Sequence, residues 1–289
     1  MRMPDFDYHT PETVAEACTL LAELGGKVTV LAGGTDVLHK MKIGHLVPDH
    51  LVSLKNLEEL RGIRNEVGRG IVIGALTTHN VIYNSPLLQE RYLSLPMAAH
   101  TMANNQICNI GTIGGNIANA SPLADLPPLL IALRAQVKLV GKSGERTVLL
   151  EDFITGPGKT AIAPDEILIE VIIPEQQTTS STYMKFGLRK SGALAVVGVA
   201  VAVTVQEGTI TDARIALGAV APIPMRAKKT EELLKGKTLS DELLEQAAAS
   251  AAAESRPISD LRGSEEYRRH LVGVLTKRTL RKAIEEGHV

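Results

Sequence analysis

The sequence predicts an α+β chain built as two units, and three observations carry that reading. Within the first 173 residues, two of the glycine pairs, Gly33-Gly34 and Gly114-Gly115, interrupt otherwise apolar, periodic sequence. A polar stretch without periodicity, Pro174-Glu-Gln-Gln-Thr-Thr-Ser-Ser-Thr182, reads as a linker. Beyond it come strands and then helices, the pattern of a small sheet covered by helices. A length of 289 residues suits two or three compact units, and 44% hydrophobic with 22% charged residues is ordinary for a globular chain.

Thr10-Pro-Glu12 opens the first predicted helix, with Val14, Cys18, Leu21 and Leu24 on one face and Gly25-Gly26 as its stop. Residues 27–32 read as a buried strand running into Gly33-Gly34-Thr35-Asp36 and then a helix over 37–42. A strand that feeds a double glycine and a helix start presents free N–H groups to an anion. A tight turn explains the glycines equally well, and Thr35 and Asp36 read equally as helix caps. Residues 51–54, 57–63 and 70–74 are predicted strands, and 77–83, 86–92 and 96–103 helices, with Met97 and Met102 as core residues.

The stretch from Asn109 to Asp125 holds three glycines, three asparagines, a threonine, a serine and an acid, so it is expected to be a loop rather than a core element. Gly114 and Gly115 would let ligand atoms approach the main chain, and Thr112, Asn116, Asn119 and Ser121 can add side-chain hydrogen bonds. Consecutive N–H groups cradle anions, so a phosphate-rich guest fits, with a plain glycine turn as the alternative. Two cradles fit a ligand with two phosphates, although neither is a GxGxxG. Asp125 opens a helix over 125–133 with prolines in its first turn, either as N-cap or as acceptor for a sugar hydroxyl. Strands follow at 136–140, 146–149 and 167–173.

After the linker, strands are predicted at 183–189, 194–205 and 209–217, the last two joined as a hairpin by Gln206-Glu-Gly208. Helices follow at 226–234, 240–255 and 264–286. Lys185 reads either as an exposed strand lysine or as one facing a bound ligand.

Several function classes are disfavoured. A net charge of −1 gives no general attraction to nucleic acid or membrane, and 3% aromatic residues without tryptophan leave no base-stacking platform. No apolar run reaches about 18 residues and no signal peptide is read, so the chain is expected to be cytoplasmic without a transmembrane segment. Cys18 and Cys108 lack CxxC spacing, which excludes an all-cysteine iron–sulfur cluster in this chain and argues against a disulfide framework. His39, His45 and His50 miss HxxxH spacing and read as solvated loop histidines. With no serine elbow or spaced carboxylate pair, no catalytic residue and no metal ligand is assigned.

Taken together, Ala32-Gly-Gly-Thr-Asp36, Gly111-Thr-Ile-Gly-Gly-Asn116, Ala120-Ser-Pro-Leu-Ala-Asp125, Glu166-Ile-Leu168 and Lys185-Phe-Gly-Leu-Arg189 resemble, in order and spacing, the FAD-binding medium subunit of the molybdenum hydroxylases. That family includes carbon monoxide dehydrogenase and xanthine dehydrogenase, and the similarity runs from about Phe6 to the C-terminal helix. The resemblance implies a two-subdomain FAD-binding domain of the vanillyl-alcohol oxidase and p-cresol methylhydroxylase type over residues 1–176, with a break near 55. A C-terminal domain over 177–289, a three-stranded antiparallel sheet with a helical bundle, would follow. By the same resemblance Leu31, Ala32, Gly33, Gly34, Thr35, Asp36 and Val37 hold the pyrophosphate together with Gly111, Thr112, Ile113, Gly114, Gly115 and Asn116. Asp125 accepts from FAD hydroxyls, Leu168 lies by the adenine through its backbone, Lys185 reaches the cofactor across the domain cleft, and Met102 and Leu194 lie near the flavin ring.

The implied function is an electron-transfer flavoprotein subunit of a molybdenum-containing hydroxylase or dehydrogenase. Its implied partners are a small subunit with iron–sulfur [2Fe-2S] clusters and a large subunit with the molybdopterin cofactor, assembled as a dimer of heterotrimers, and electrons leave the reduced FAD for an external acceptor. A self-contained FAD-dependent oxidase or dehydrogenase is the alternative, and a non-redox nucleotide-binding scaffold stands behind it. The sequence departs from the family at Gly192-Ala193-Leu194, where many relatives carry an acid followed by an aromatic or aliphatic residue. It also lacks the cysteine-bearing insertion of the 4-hydroxybenzoyl-CoA reductase branch.

Overall fold

The computed structural model describes residues 3–25, 27–189 and 192–285. Met1 and Arg2, the expected helix stop at Gly26 and the expected helix end at Glu286 lie outside them.

The chain opens with β1 (Asp7–His9), α1 (Val14–Leu24), β2 (Val28–Leu31), α2 (Val37–Lys42) and β3 (His50–Ser53). The three strands form a parallel sheet in the order β1-β3-β2. Alternation assigns its faces: Val28, Val30 and Val52 pack with Ala17, Cys18 and Leu21 of α1, while Leu31 and Leu51 pack with Met41 of α2. Thr13 rather than Thr10 caps α1, accepting from the Glu16 amide at 3.1 Å, because Thr13-Val-Ala-Glu16 has the capping-box spacing.

A second sheet combines β4 (Ile63–Glu66), β5 (Gly70–Gly74), β6 (Gln136–Gly141), β7 (Gly144–Leu149) and, after the short β8 (Ile154–Gly156) and β9 (Lys159–Thr160), β10 (Ile167–Ile173). It is antiparallel in the order β4-β5-β10-β6-β7. Residues 57–63 were expected as a strand but hold a 3-10 turn at Glu58–Leu60, because Leu57 and Leu60 bury together at a spacing of three.

Helices α3 (His79–Tyr83), α4 (Pro86–Arg91), α5 (Ser94–His100), α6 (Asn105–Ile110), α7 (Ile113–Ala118), α8 (Leu126–Ala132) and α9 (Leu150–Phe153) share a core with this second sheet. Two expectations fail here. Met97 is 51% exposed, since α5 turns Leu95, Ala98 and Ala99 inward and leaves Met97 on the opposite side. The glycine-rich stretch is also helical and contributes to the core. Thr112 caps α7 by accepting from the Gly115 amide at 3.2 Å, and Ile113 and Ile117 are fully buried. Gly114 permits this, because a Cβ there would stand 2.7 Å from the Cβ of Ala75.

The C-terminal sheet is antiparallel, formed by β11 (Ser180–Phe186), β12 (Val197–Gln206) and β13 (Thr209–Gly218), and extended by two-residue strands β14 (Met225–Arg226) and β15 (Lys237–Thr238) on β13. The polar linker is therefore shorter than expected, since Ser180, Ser181 and Thr182 already pair with β12. Val197, Val199, Val201 and Val203 point to α10 (Lys228–Leu234), α11 (Asp241–Glu254) and α12 (Glu265–Glu285). Ala200, Ala202 and Ala216 point the other way, into the core that contains α8. Small residues face α8 because the approach is close: a Cβ on Gly218 would lie 2.7 Å from Cγ of Pro128. Cys18 and Cys108 are buried free thiols, and no helix among the described residues is long and apolar enough to cross a membrane.

Candidate functional site

The carboxyl end of β2 delivers the chain into residues 33–36, where Gly34 takes a φ of +84° that a side chain would strain. Among the described residues, the amides of Gly33, Gly34, Thr35 and Asp36 donate to no protein acceptor. Successive free N–H groups around a left-handed residue form a nest for an anion. The nest rests on these loop amides rather than on a helix dipole, since α2 spans only six residues, and Asp36 at its cap position makes no capping bond.

Gly33 joins this nest to the second glycine segment. A Cβ there would lie 2.0 Å from the carbonyl oxygen of Ile110 and 3.1 Å from Cα of Gly111. The two segments, distant in sequence, thus touch through bare main chain and share one cavity of about 370 Å³. The second segment contributes differently from expectation. The amides of Ile113, Gly114 and Asn116 are engaged with Thr77, Ala75 and Thr112 carbonyls, so this segment offers shape and side chains rather than a second run of free N–H groups. One such side chain is Asn116, whose buried Oδ1 has no partner. A buried polar atom without a partner is costly, which makes it a strong pointer to a missing hydrogen-bonding guest.

The cavity wall includes residues 32–37, Met102, Gly111, Thr112, Gly114, Gly115, Asn116 and Leu168. Leu168 sits at a register shift where β10 pairs with β6, which loosens the ladder beside the cavity. Leu31 and Ile113 are core residues behind the wall, and Leu194 is 53% exposed and away from it. Asp125 and Lys185 also lie off this cavity and pair with each other. Lys185 Nζ donates to Asp125 Oδ2 at 2.7 Å and to the carbonyls of Thr101 at 2.9 Å and Ala193 at 3.2 Å, while Tyr183 Oη donates to Asp125 Oδ1 at 2.8 Å. Burial pushes the Asp125 carboxyl up, against the opposing pull of Lys185 and Tyr183, and it pushes the Tyr183 hydroxyl up as well. This buried cluster fastens β11 to the segment that carries Met102.

Two wall residues carry no signal that sequence reasoning used. His79 is 3% exposed, its Nδ1 has no partner, and burial lowers its pKa from 6.5 to about 4, so the ring is neutral. It packs on Gly111, where a Cβ would meet the ring at 3.1 Å. Lys40 donates to Asn119 Oδ1 at 2.6 Å, and only its position one turn after Asp36 could have pointed to the site. Glu166, also on the wall, is held by Arg146 at 2.6 and 2.8 Å and by the Ala163 amide at 2.7 Å, and these contacts keep its carboxyl below the usual range.

The arrangement suits a diphosphate at the free amides, with a longer ligand extending along the wall. Comparison with known proteins gives the same direction. Residues 4–176 match the family described as FAD binding domain in molybdopterin dehydrogenase, and residues 181–283 match the carbon monoxide dehydrogenase flavoprotein C-terminal domain. The carbon monoxide dehydrogenase medium chain of Hydrogenophaga pseudoflava is 40% identical over 97% of both chains. The xanthine dehydrogenase FAD-binding subunit of Escherichia coli O157:H7 is 33% identical over 98% of this chain and 97% of its own. A solved structure of the Hydrogenophaga pseudoflava carbon monoxide dehydrogenase, in a form lacking the Mo-pyranopterin moiety of the molybdenum cofactor, superposes with a TM-score of 0.94 at 39% identity, covering 98% of each chain. The chain belongs to the FAD-binding medium subunits of the molybdenum hydroxylase family, the flavoprotein subunits of multi-subunit oxidoreductases of the carbon monoxide dehydrogenase and xanthine dehydrogenase type.

Proposed function

We propose that this chain holds FAD as the electron-transfer subunit of a molybdenum-containing hydroxylase or dehydrogenase. Electrons enter from the [2Fe-2S] clusters of a small iron–sulfur subunit, are drawn from substrate at a large molybdenum subunit, and leave for an external acceptor. The assembly is a dimer of heterotrimers in the cytoplasm. The cofactor domain spans residues 1–176 as two subdomains of the vanillyl-alcohol oxidase type that part near residue 55, and 177–289 form the second domain.

The observation that carries the proposal is the contact of Gly33 with Ile110 and Gly111, which puts four unpaired amides and the orphaned Asn116 Oδ1 on one cavity. FAD fits these groups: the amides of residues 33–36 take the diphosphate oxygens, and Asn116 Oδ1 accepts from a ligand hydroxyl or N–H. Leu168, beside the ladder irregularity, offers main chain to the adenine, and Met102 offers an apolar surface to the flavin ring. Asp125 and Lys185 act from behind, with Asp125 available to a flavin hydroxyl once Lys185 shifts its bonds. Bound FAD supplies the joining of one-electron to two-electron transfer, and this chain supplies position, burial and charge.

Titration of the flavin-free chain with FAD tests the reading. One FAD bound per chain, with a yellow flavin spectrum retained through gel filtration, is expected. A colourless protein after reconstitution would sink it.

A further inference from the structure

Lys40 lines the same cavity as the unpaired amides of residues 33–36. Its Nζ donates to Asn119 Oδ1 at 2.6 Å, and Asn119 Nδ2 in turn donates to Asp36 Oδ1 at 3.1 Å. The order of this relay fixes the amide. Reversed, it would set the Asn119 NH₂ against an ammonium and its oxygen against a carboxylate, both repulsive. Asp36 therefore orients Asn119, and Asn119 positions Lys40.

The charges on this wall are unevenly satisfied. Glu166 is neutralised by Arg146, and the Asp36 carboxylate is turned to the Asn119 amide. Among the described residues Lys40 has a neutral amide as its hydrogen-bond partner and forms no ion pair with a carboxylate. An ammonium has three donors, and Asn119 takes one. A half-buried cation with spare donors, on the same cavity wall as four free N–H groups, matches the charge of a diphosphate better than a neutral ring or sugar, because its hydrogen bonds to an anion are charge-assisted.

We infer that Lys40 is a further cofactor-binding residue, supplying the counter-charge for the diphosphate of the flavin dinucleotide, with Asn119 and Asp36 as its positioning residues. The inference rests on the FAD reading above. It differs from that reading in being electrostatic, so it responds to ionic strength.

The test is titration of the full-length chain, freed of flavin, with FAD by flavin fluorescence at low and at high salt. Lys40→Met raises the Kd for FAD about tenfold or more, the scale of a lost charge-assisted hydrogen bond, and flattens the rise of Kd with salt. Lys40→Arg, which keeps the cation, recovers most of both properties. Wild-type affinity in Lys40→Met overturns the assignment, as does weakened affinity with an unchanged salt response. Wild-type protein that binds no FAD overturns instead the reading beneath it.

Discussion

Replacing Gly33 by alanine perturbs the contact on which the site is built. The added Cβ would lie 2.0 Å from the Ile110 carbonyl oxygen and 2.9 Å from its carbon. Both atoms are main chain, and Ile110 is held at the end of α6, where the Gly111 amide bonds the Ile107 carbonyl at 2.7 Å. Relief requires the two glycine segments to separate, so the cost is that of overpacking, about 1–3 kcal/mol. Thermal unfolding of the flavin-free protein should fall by roughly 2–4 °C per kcal/mol for a chain of this size. FAD affinity should fall further than stability does, because separation spoils the shared cavity. Gly34→Ala makes the comparison sharp: its clash is with the flexible Leu38 and Leu31 side chains at 3.1 and 3.2 Å, and its cost comes from φ of +84°, about 1–2 kcal/mol. A Gly33→Ala protein with wild-type melting temperature and wild-type FAD affinity would refute the reasoning.

Three further outcomes are expected. His79 has a folded pKa of about 4 against an ordinary 6.5, so protonation favours the unfolded chain; its stabilisation is complete above pH 6.5 and fades as pH falls through 4, by about 3 kcal/mol in all. Urea unfolding of His79→Phe should lack that loss, and a parallel pH profile to wild type would contradict it. Lys185→Met strands the buried Asp125 carboxylate and should cost about 3–5 kcal/mol in urea unfolding, with Asp125→Asn on the same background restoring part of it; a double variant no more stable than the single would argue against a paired cluster. Thr112→Val removes the cap of α7 and should cost about 1 kcal/mol while weakening FAD binding, which melting curves with and without FAD can check.

Much of the first cradle was legible in the sequence, because the physics there is local. An apolar run into Gly33-Gly34 dictates a strand, a left-handed turn and a helix start. The second glycine segment departs from the expected loop for a tertiary reason: Gly114 and Gly115 lower helix propensity, yet α7 forms because Gly114 seats on Ala75 and Ile113 and Ile117 reach the core. Strand alternation in β12 was visible as valine and alanine, but only the packed structure separates the helical bundle side from the α8 side. Asp125 offered a choice between cap and acceptor, and neither anticipated its partners, since Lys185 and Tyr183 come from β11 of the C-terminal sheet. His79 and Lys40 are single polar residues without pattern, and what distinguishes them is an unpaired nitrogen in one case and an amide partner in the other.

In the proposed function, one cavity grips a flavin diphosphate between main-chain segments remote in sequence. A crystal structure of the chain with FAD bound measures this most directly. Oxygens of both phosphates are expected within hydrogen-bonding distance of the amides of residues 33–36, with Asn116 and Lys40 turned toward the same ligand. FAD bound with its diphosphate anywhere else on the chain would contradict the account.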